Sequence, residues 1–220
     1  MAVYTKIDEK NLLELLNNYN LGELKGFEGI LEGVENTNYK IFTSHNVYIL
    51  TIFEKRVNDV ELPFFIELQN YLYSKNIKCP QPITNNNKKY INKILNKNCV
   101  IMSFLKGKKL NIVNEEHCYQ VGNELAKMHN NTNDFSMKRH NSLEQSSWKE
   151  IFNKCKKASS NSYFNTFELV ENELNFLQKN WPNDLPQGVI HADVFQDNVF
   201  FTNNKLSGLI DFYFACNDYY

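Results

Sequence analysis

The sequence predicts an α+β fold with two lobes, a small β-rich N-terminal lobe and a mainly helical C-terminal lobe. Strand-like apolar runs are concentrated in the first half of the chain, at 39–43, 47–53 and 99–105. Patterns of helical period dominate the second half, at 114–129, 148–155 and 164–179. We therefore expect an N-terminal lobe at residues 1–105 and a C-terminal lobe at residues 106–220.

Two amphipathic helices are expected in the N-terminal lobe, over residues 8–19 and 59–76. Gly22 is a plausible stop for the first helix, and Pro63 is tolerated near the first turn of the second. The strand-like segments between these helices are joined by a turn at His45-Asn46. This order of elements predicts a sheet flanked by helices.

A loop rich in glycine and asparagine precedes the first of these strands. Gly33 permits a close approach of the backbone, and the amides near Glu35, Asn36 and Asn38 are placed to face an anion. A small polar loop between strands is the layout of a flap over phosphates. An ordinary hairpin loop favours the same residue types, so both interpretations stay open at this point.

Composition excludes several classes of protein. The 220 residues contain 24 basic and 25 acidic side chains, so no basic excess argues for a nucleic acid or an anionic membrane as partner. Five scattered cysteines form no Cys-x-x-Cys pair, which indicates free thiols in a reducing compartment. No signal peptide and no apolar run of membrane-spanning length is present. We expect a soluble cytoplasmic protein.

The stretch from Val189 to Phe201 carries the densest group of candidate catalytic side chains. His191, Asp193 and Asn198 occupy a polar loop that comes after a short apolar run. The pattern His-x-Asp-x-x-x-x-Asn can arise by chance in a chain so rich in asparagine, so its weight depends on the residues around it.

A predicted hairpin comes directly after this loop. Two short apolar runs, 199–201 and 206–210, flank an Asn-Asn turn. Because a hairpin returns the chain to its start, we expect Asp211 to lie beside Asn198 and the carboxylate of Asp193. Two oxygen ligands next to a carboxylate suit Mg²⁺-assisted phosphoryl transfer from ATP. The hairpin therefore favours the catalytic interpretation.

The order strand, Asp loop, Asn, hairpin and Asp resembles the catalytic half of protein-kinase-like folds. It differs from protein kinases in its His-Ala-Asp and Asp-Phe-Tyr sequences, which indicate their small-molecule relatives. In such a kinase the strand at 99–105 leads to a hinge, where the backbone of Met102 and Phe104 could meet the adenine. A buried strand that ends in a glycine turn explains these residues equally well.

Longer motifs are spread over the whole chain. They are Glu32-Gly-Val-Glu-Asn-Thr-Asn-Tyr39, Tyr48-Ile-Leu-Thr-Ile-Phe-Glu-Lys-Arg56, Leu62-Pro-Phe-Phe65, Gly188-Val-Ile-His-Ala-Asp193, Asp197-Asn-Val-Phe-Phe201 and Ser207-Gly-Leu-Ile-Asp-Phe-Tyr-Phe-Ala-Cys-Asn-Asp218. These motifs resemble the bacterial homoserine kinases of the aminoglycoside-phosphotransferase-like type. The resemblance implies transfer of the ATP γ-phosphate to the hydroxyl of L-homoserine, a step in threonine biosynthesis. The homoserine kinases of the galactokinase-like fold are not resembled, because the sequence has no Gly-Leu-Gly-Ser-Ser type loop.

The resemblance also implies roles for individual residues. Asp193 would orient and deprotonate the acceptor hydroxyl, and Asn198 and Asp211 would hold Mg²⁺. His191 is expected to brace the loop through hydrogen bonds rather than to take protons. Residues Gly33–Asn38 would cover the nucleotide phosphates.

One departure from the wider superfamily lies in the N-terminal lobe. Thr51 occupies the position at which a phosphate-binding Lys or Arg is usual, and Lys55 or Arg56 would then supply the positive charge. The helical glutamate that orients such a lysine would be Glu61 or Glu67, although a solvated helix face explains both.

A second departure lies at the end of the chain. Family members continue beyond the last motif into a helical segment, whereas this chain stops at Tyr220. We expect a truncated C-terminal lobe with an incomplete acceptor pocket. Two alternatives stay open: a kinase for another small alcohol (an aminoglycoside, choline or a sugar), and an inactive remnant that only binds nucleotide.

Overall fold

Six strands from the first half of the chain form one antiparallel sheet. The structure, a computed structural model, describes residues 3–32, 35–54, 57–158 and 164–220. The six strands are β1 (Leu24–Ile30), β2 (Thr37–Thr43), β3 (Val47–Ile52), β4 (Pro82–Ile83), β5 (Asn92–Ile94) and β6 (Lys97–Ser103). They lie in the order β1-β2-β3-β6-β4, and β5 pairs with β6.

The first helix, α1 (Glu9–Leu16), covers one face of this sheet. It begins at Asp8, whose side chain accepts the N–H of Asn11 while the Asn11 side chain accepts the N–H of Asp8. The helix packs against the sheet through three buried leucines, Leu12, Leu15 and Leu16. The helix predicted over 8–19 is thus confirmed, although it is shorter than predicted at its C-terminal end.

The second helix, α2 (Leu62–Ser74), packs against the opposite face of the sheet, where Ile66 contacts a cluster that includes Val100 and Met102. It begins three residues later than predicted, because a turn precedes it in which Asn58 O accepts the N–H of Leu62. Other side chains of α2 join the main core of the C-terminal half. The helix therefore links the two halves of the molecule.

The second half of the chain contains three longer helices and two small strand pairs. These elements are α3 (Glu115–Asn131), α4 (Gln145–Ala158), α5 (Phe164–Asn180), β7 (Gln187–Ile190), β8 (Val199–Thr202), β9 (Lys205–Leu209) and β10 (Cys216–Tyr219). Strand β7 pairs with β10, and β8 pairs with β9. In the described ranges no helix combines the length and apolar character needed to cross a membrane.

Helix α3 buries one apolar face together with one acidic side chain. Met128 is fully buried, while Val121 and Leu125 are partly buried against the same core. Glu124 is also buried, and its carboxylate has the hydrogen-bond partner that a buried polar group needs, the backbone N–H of Lys78 at 2.8 Å. This contact ties α3 to the segment that comes after α2.

Gly208 provides a test of the packing around β9. Its φ is +156°, and a Cβ there would lie 2.3 Å from the Lys78 carbonyl oxygen. We expect Gly208→Ala to lower the free energy of unfolding by roughly 1–3 kcal/mol or more, because only glycine adopts this conformation without strain. Urea denaturation measures the change.

Gly122→Ala is the matched control. Gly122 lies in α3, and a Cβ added there would meet nothing within 4 Å. This substitution should raise stability by about 1 kcal/mol through helix propensity. Equal effects of the two substitutions would contradict the close approach at Gly208.

Candidate active site

The β8–β9 hairpin brings the predicted metal ligands together. Its turn residues Asn203 and Asn204 have φ values of 50° and 60°, as a tight two-residue hairpin turn requires. At the open end of the hairpin, the N–H of Ile210 donates to the carbonyl oxygen of Asn198 at 3.0 Å. Asp211 therefore comes directly after a residue that is bonded to Asn198.

Asn198 also contacts the third member of the predicted group. Its side-chain NH₂ donates to the backbone oxygen of Asp193 at 2.9 Å and to the Asp193 carboxylate oxygen Oδ2 at 2.8 Å. This leaves the amide oxygen of Asn198 as the atom that suits a metal ion. An amide oxygen and the carboxylate of Asp211 are ligands that Mg²⁺ accepts, so these residues fit the ion.

Metal binding by these two residues would also need oxygen atoms from outside the protein. Within the part of the chain that the structure describes, no three His, Cys, Asp or Glu side chains cluster as a metal-holding group. Mg²⁺ commonly keeps several waters and is bound through one or two carboxylates together with substrate phosphates. The small number of protein ligands is consistent with that mode.

His191 is buried, and both of its ring nitrogens take part in hydrogen bonds. Nε2 lies 3.0 Å from the carbonyl oxygen of Ile210, and the N–H of Asp193 donates to Nδ1 at 3.3 Å. The ring also packs against Phe212, with 4.4 Å between centroids. Burial lowers the pKa of His191 to about 4, so the ring is neutral near pH 7. A neutral ring with its proton on Nε2 satisfies both contacts.

Two residues of the site have a left-handed backbone. Ala192 has φ +63° and Asp211 has φ +64°. Non-glycine residues in this region are strained, and such strain tends to concentrate at functional sites. Ala192 directly follows His191, and Asp211 directly follows Ile210. The hydrogen bond between His191 and Ile210 therefore holds both segments in place.

The polar residues predicted to lie near the phosphates lie partly in β2 and partly in the loop before it. Asn38 pairs with Thr51 in the strand register, and the Thr51 hydroxyl donates to the Asn38 side-chain oxygen at 2.7 Å. Asn36 is buried, and its side-chain oxygen accepts the N–H of Glu54 at 3.5 Å. Glu35 lies in the same loop and is partly exposed.

The structure describes some of the residues predicted for the nucleotide site. Gly33 and Lys55 lie outside the described residues, as does Arg56. Met102 lies within β6 and is buried between Ile49 of β3 and Pro82 of β4. Met102 is therefore flanked by paired strands on both sides. Phe104, in contrast, lies just beyond the end of β6.

Lys40, which the sequence analysis did not single out, lies on the same face of the sheet as Asn38 and Thr51. Lys40 follows Asn38 by two positions along β2, so both side chains lie on the face that carries Thr51. Its ammonium lies 5.0 Å from the ring centroid of Phe104 and 4.9 Å from that of Phe42. The period of two in β2 is the signal that would have identified it.

Arg139 was also missed, and it connects the two halves of the chain. Its Nε donates to Glu61 at 2.8 Å, and Nη1 donates to the backbone oxygens of Phe214 and Ala215. The guanidinium lies 5.0 Å from the ring centroid of Phe65 in α2. Glu61, one of the two glutamates expected to orient a phosphate-binding lysine, is thus paired with an arginine from the C-terminal half of the chain.

A family model describes most of this chain. Residues 26–220 match the model described as "Phosphotransferase enzyme family". The matched region includes the sheet, the polar loop before β2 and the whole Asp193–Asp211 segment.

Proteins named homoserine kinase are similar along the full chain. One from Bartonella henselae is 41% identical over 220 residues, which cover all of this chain and 69% of the relative. Another from Brucella ovis is 44% identical over 218 residues, which cover 99% of this chain and 67% of the relative. The resemblance carried by the motifs is confirmed, and the chain spans about two thirds of the length of these relatives.

Solved kinase structures share the fold. An amicoumacin kinase in complex with AMP-PNP, Ca²⁺ and Ami has a TM-score of 0.76 at 16% identity, covering 97% of this chain and 66% of the other. A spectinomycin phosphotransferase in complex with ADP and spectinomycin has a TM-score of 0.75 at 16% identity, covering 97% and 71%. The predicted protein-kinase-like α+β fold is confirmed.

The Arg139 contacts predict a large effect of a conservative substitution. Lysine carries one ammonium and cannot reproduce the contacts that Nε and Nη1 make in different directions. We expect Arg139→Lys to lower the free energy of unfolding by about 1–3 kcal/mol, as measured by urea denaturation. Lys138→Met, at an exposed neighbouring position, is the control. An Arg139→Lys protein as stable as this control would contradict the proposed link.

The low pKa of His191 predicts a dependence of stability on pH. Its pKa is about 4 in the folded chain and near 6.5 when unfolded, so the unfolded state binds more protons between these values. Stability should therefore fall by about 3 kcal/mol as pH falls through this window.

Comparison with His191→Gln isolates this contribution from that of other groups. Denaturant unfolding of both proteins at several pH values between 7 and 4 gives the difference in their slopes. The slope should be shallower in the variant. Identical slopes would show that the folded state tolerates a protonated His191.

Proposed function

Because the chain belongs to the phosphotransferase enzyme family, we propose that it transfers the γ-phosphate of ATP to the hydroxyl of L-homoserine. The observation that carries the proposal is the group formed by Asp193, Asn198 and Asp211, which the hairpin places together. Relatives named homoserine kinase are similar over the whole length of this chain, which supports the choice of acceptor.

Asp193 receives the proton of the acceptor hydroxyl in this proposal. The side-chain NH₂ of Asn198 donates to Oδ2 of Asp193. We therefore assign the other carboxylate oxygen of Asp193 to the acceptor hydroxyl. The N–H of Asp193 is fixed by His191, which positions the loop without exchanging protons. Positioning of this kind contributes much of the rate in phosphoryl transfer, where little covalent chemistry falls to the protein.

Asn198 and Asp211 are the proposed ligands of Mg²⁺. When bound there, the ion neutralises phosphate charge and aligns the transferred group. The Asn198 amide would serve two groups at once, with its NH₂ on Asp193 and its oxygen on the ion. The backbone hydrogen bond between Ile210 and Asn198 sets the spacing of the two ligands.

The nucleotide is proposed to lie between the sheet and this loop. The loop with Gly33, Glu35 and Asn36 would cover the phosphates, and Asn38 lies on the cleft face beside Thr51. Thr51 carries no charge, so Lys55 or Arg56 is proposed to supply the positive charge on the phosphates.

We assign the adenine to the segment just after β6. Met102 and Phe104 were both expected to meet the base through their backbone. Met102 lies inside the sheet, so Phe104 at the strand end is the better-placed residue of the two. Its ring also contacts Lys40. We place the enzyme in the cytoplasm, which is consistent with the lack of disulfides among the five cysteines of the described residues.

Asp193→Asn tests the assignment of the proton acceptor. The amide cannot accept the hydroxyl proton, so ADP release that depends on homoserine should fall by about 10²–10⁴-fold. The purified chain is incubated with Mg-ATP and, separately, homoserine, choline and kanamycin, and ADP is measured by a coupled assay.

Asp184→Asn is the control, because Asp184 is exposed and precedes β7. Its activity should match that of the unsubstituted chain. Turnover of choline or kanamycin instead of homoserine would show that the acceptor is wrong. Nucleotide binding without turnover of any acceptor would favour an inactive remnant.

A further inference from the structure

A partly buried ionic cluster lies at the end of the sheet from which the loop before β2 emerges. Oε1 of Glu54 accepts hydrogen bonds from the hydroxyls of Thr5 at 2.6 Å and Thr37 at 2.7 Å. Lys97 forms an ion pair with the other carboxylate oxygen, and its ammonium donates to the Thr5 hydroxyl at 2.7 Å. We call Thr5, Thr37, Glu54 and Lys97 the Glu54 cluster.

The cluster is joined to the N-terminal segment of the chain. The Thr37 hydroxyl accepts the backbone N–H groups of Tyr4 and Thr5 at 3.0 and 3.1 Å. The phenol of Tyr39 donates to the carbonyl oxygen of Thr5 at 3.0 Å. The segment before α1 is therefore held against the start of β2 by side chains from three separate parts of the sequence.

The cluster acts at the point where the proposed phosphate loop ends. Thr37 is the first residue of β2 and is fully buried. The preceding residue, Asn36, is bonded through its side chain to the N–H of Glu54. Glu54 also directly precedes Lys55, a candidate for the phosphate charge. Glu54 thus holds the end of the loop, through Thr37 and Asn36.

The charges within the cluster compensate each other. The Glu54 side chain is 11% exposed, so burial by itself would raise the pKa of its carboxyl. Hydrogen bonds from Lys97, Thr5 and Thr37, together with the Lys97 charge, outweigh burial and hold this pKa below its usual value. Without Lys97, the Glu54 carboxylate would stand uncompensated at the end of the sheet from which the proposed phosphate loop emerges.

We propose that Glu54 and Lys97 are positioning residues that hold Asn36 and Thr37, where the loop between β1 and β2 joins β2, in place for phosphate binding. The proposal rests on the proposed function, since it assumes that this loop covers ATP phosphates. Neither residue contacts the nucleotide. Each acts through Asn36 and Thr37.

A purely structural role predicts a different result from a positioning role. If the cluster only stabilised the lobe, loss of Lys97 would weaken all nucleotide ligands alike or none. A positioning role for the phosphate loop predicts weaker binding only for ligands that carry phosphates. Adenosine, which lacks phosphates, separates the two cases from ATP and ADP.

The experiment uses Lys97→Met, Glu54→Gln and the double variant. Affinities for Mg-ATP, ADP and adenosine are measured by isothermal titration calorimetry, and circular dichroism checks the fold. We expect Lys97→Met to weaken ATP binding at least about tenfold while adenosine affinity changes by less than about twofold. The double variant should recover part of this loss, because it removes the uncompensated carboxylate.

Controls come from an exposed ion pair in the same lobe. Lys25 and Glu23 lie 2.7 Å apart, with side chains 56% and 81% exposed. Lys25→Met should leave both affinities unchanged. If Lys97→Met does not fold, Thr5→Val and Thr37→Val each remove one hydroxyl at nearly constant shape and are measured in the same way.

Three results would overturn the inference. They are a parallel loss of ATP and adenosine affinity, no loss of either, and a double variant that binds ATP no better than Lys97→Met. If the unsubstituted chain does not bind ATP, the inference and the proposed function both fail. ATP binding without homoserine phosphorylation would remove the acceptor assignment alone and leave the role of Glu54 and Lys97 in place.

Discussion

The site depends on the hydrogen bonds that close the open end of the β8–β9 hairpin. Ile210 donates its N–H to Asn198 and lies with its carbonyl oxygen 3.0 Å from His191. One residue thereby joins the loop of Asp193 to the segment of Asp211. Because His191 is buried and neutral, this junction is fixed without a charge that could titrate near pH 7. The left-handed backbone at Asp211 is held in place by the same contacts.

The N-terminal sheet serves the site through both of its faces. On the face that carries Thr51, the Thr51 hydroxyl orients Asn38, and Lys40 lies beside the ring of Phe104. The other face carries α1 and the N-terminal segment, which the Glu54 cluster ties to the start of β2.

The two halves of the chain are joined by polar contacts as well as by a shared core. Arg139 connects Glu61 at the start of α2 to backbone oxygens just beyond the Asp211 segment. In this way α2 is aligned with the segment that carries Asp211 through an arginine from the C-terminal half. The contact lies beside aromatic packing in which the Phe65 ring meets both Arg139 and Tyr213. Displacement of α2 would therefore disturb the segment that carries Asp211.

The sequence by itself predicted that Asp193, Asn198 and Asp211 form one group. The hairpin pattern and its Asn-Asn turn are local, and local geometry was enough to predict that Asp211 returns to Asn198. It also indicated the helices, the strands at 39–43 and 47–53, and the family through its motifs. Only the tertiary structure decided the partners of Glu61 and Glu54, which are Arg139 and Lys97. These pairs join residues 78 and 43 positions apart, and such contacts depend on how whole elements pack. No periodicity or spacing in the sequence encodes that packing, so it could be read only from the fold.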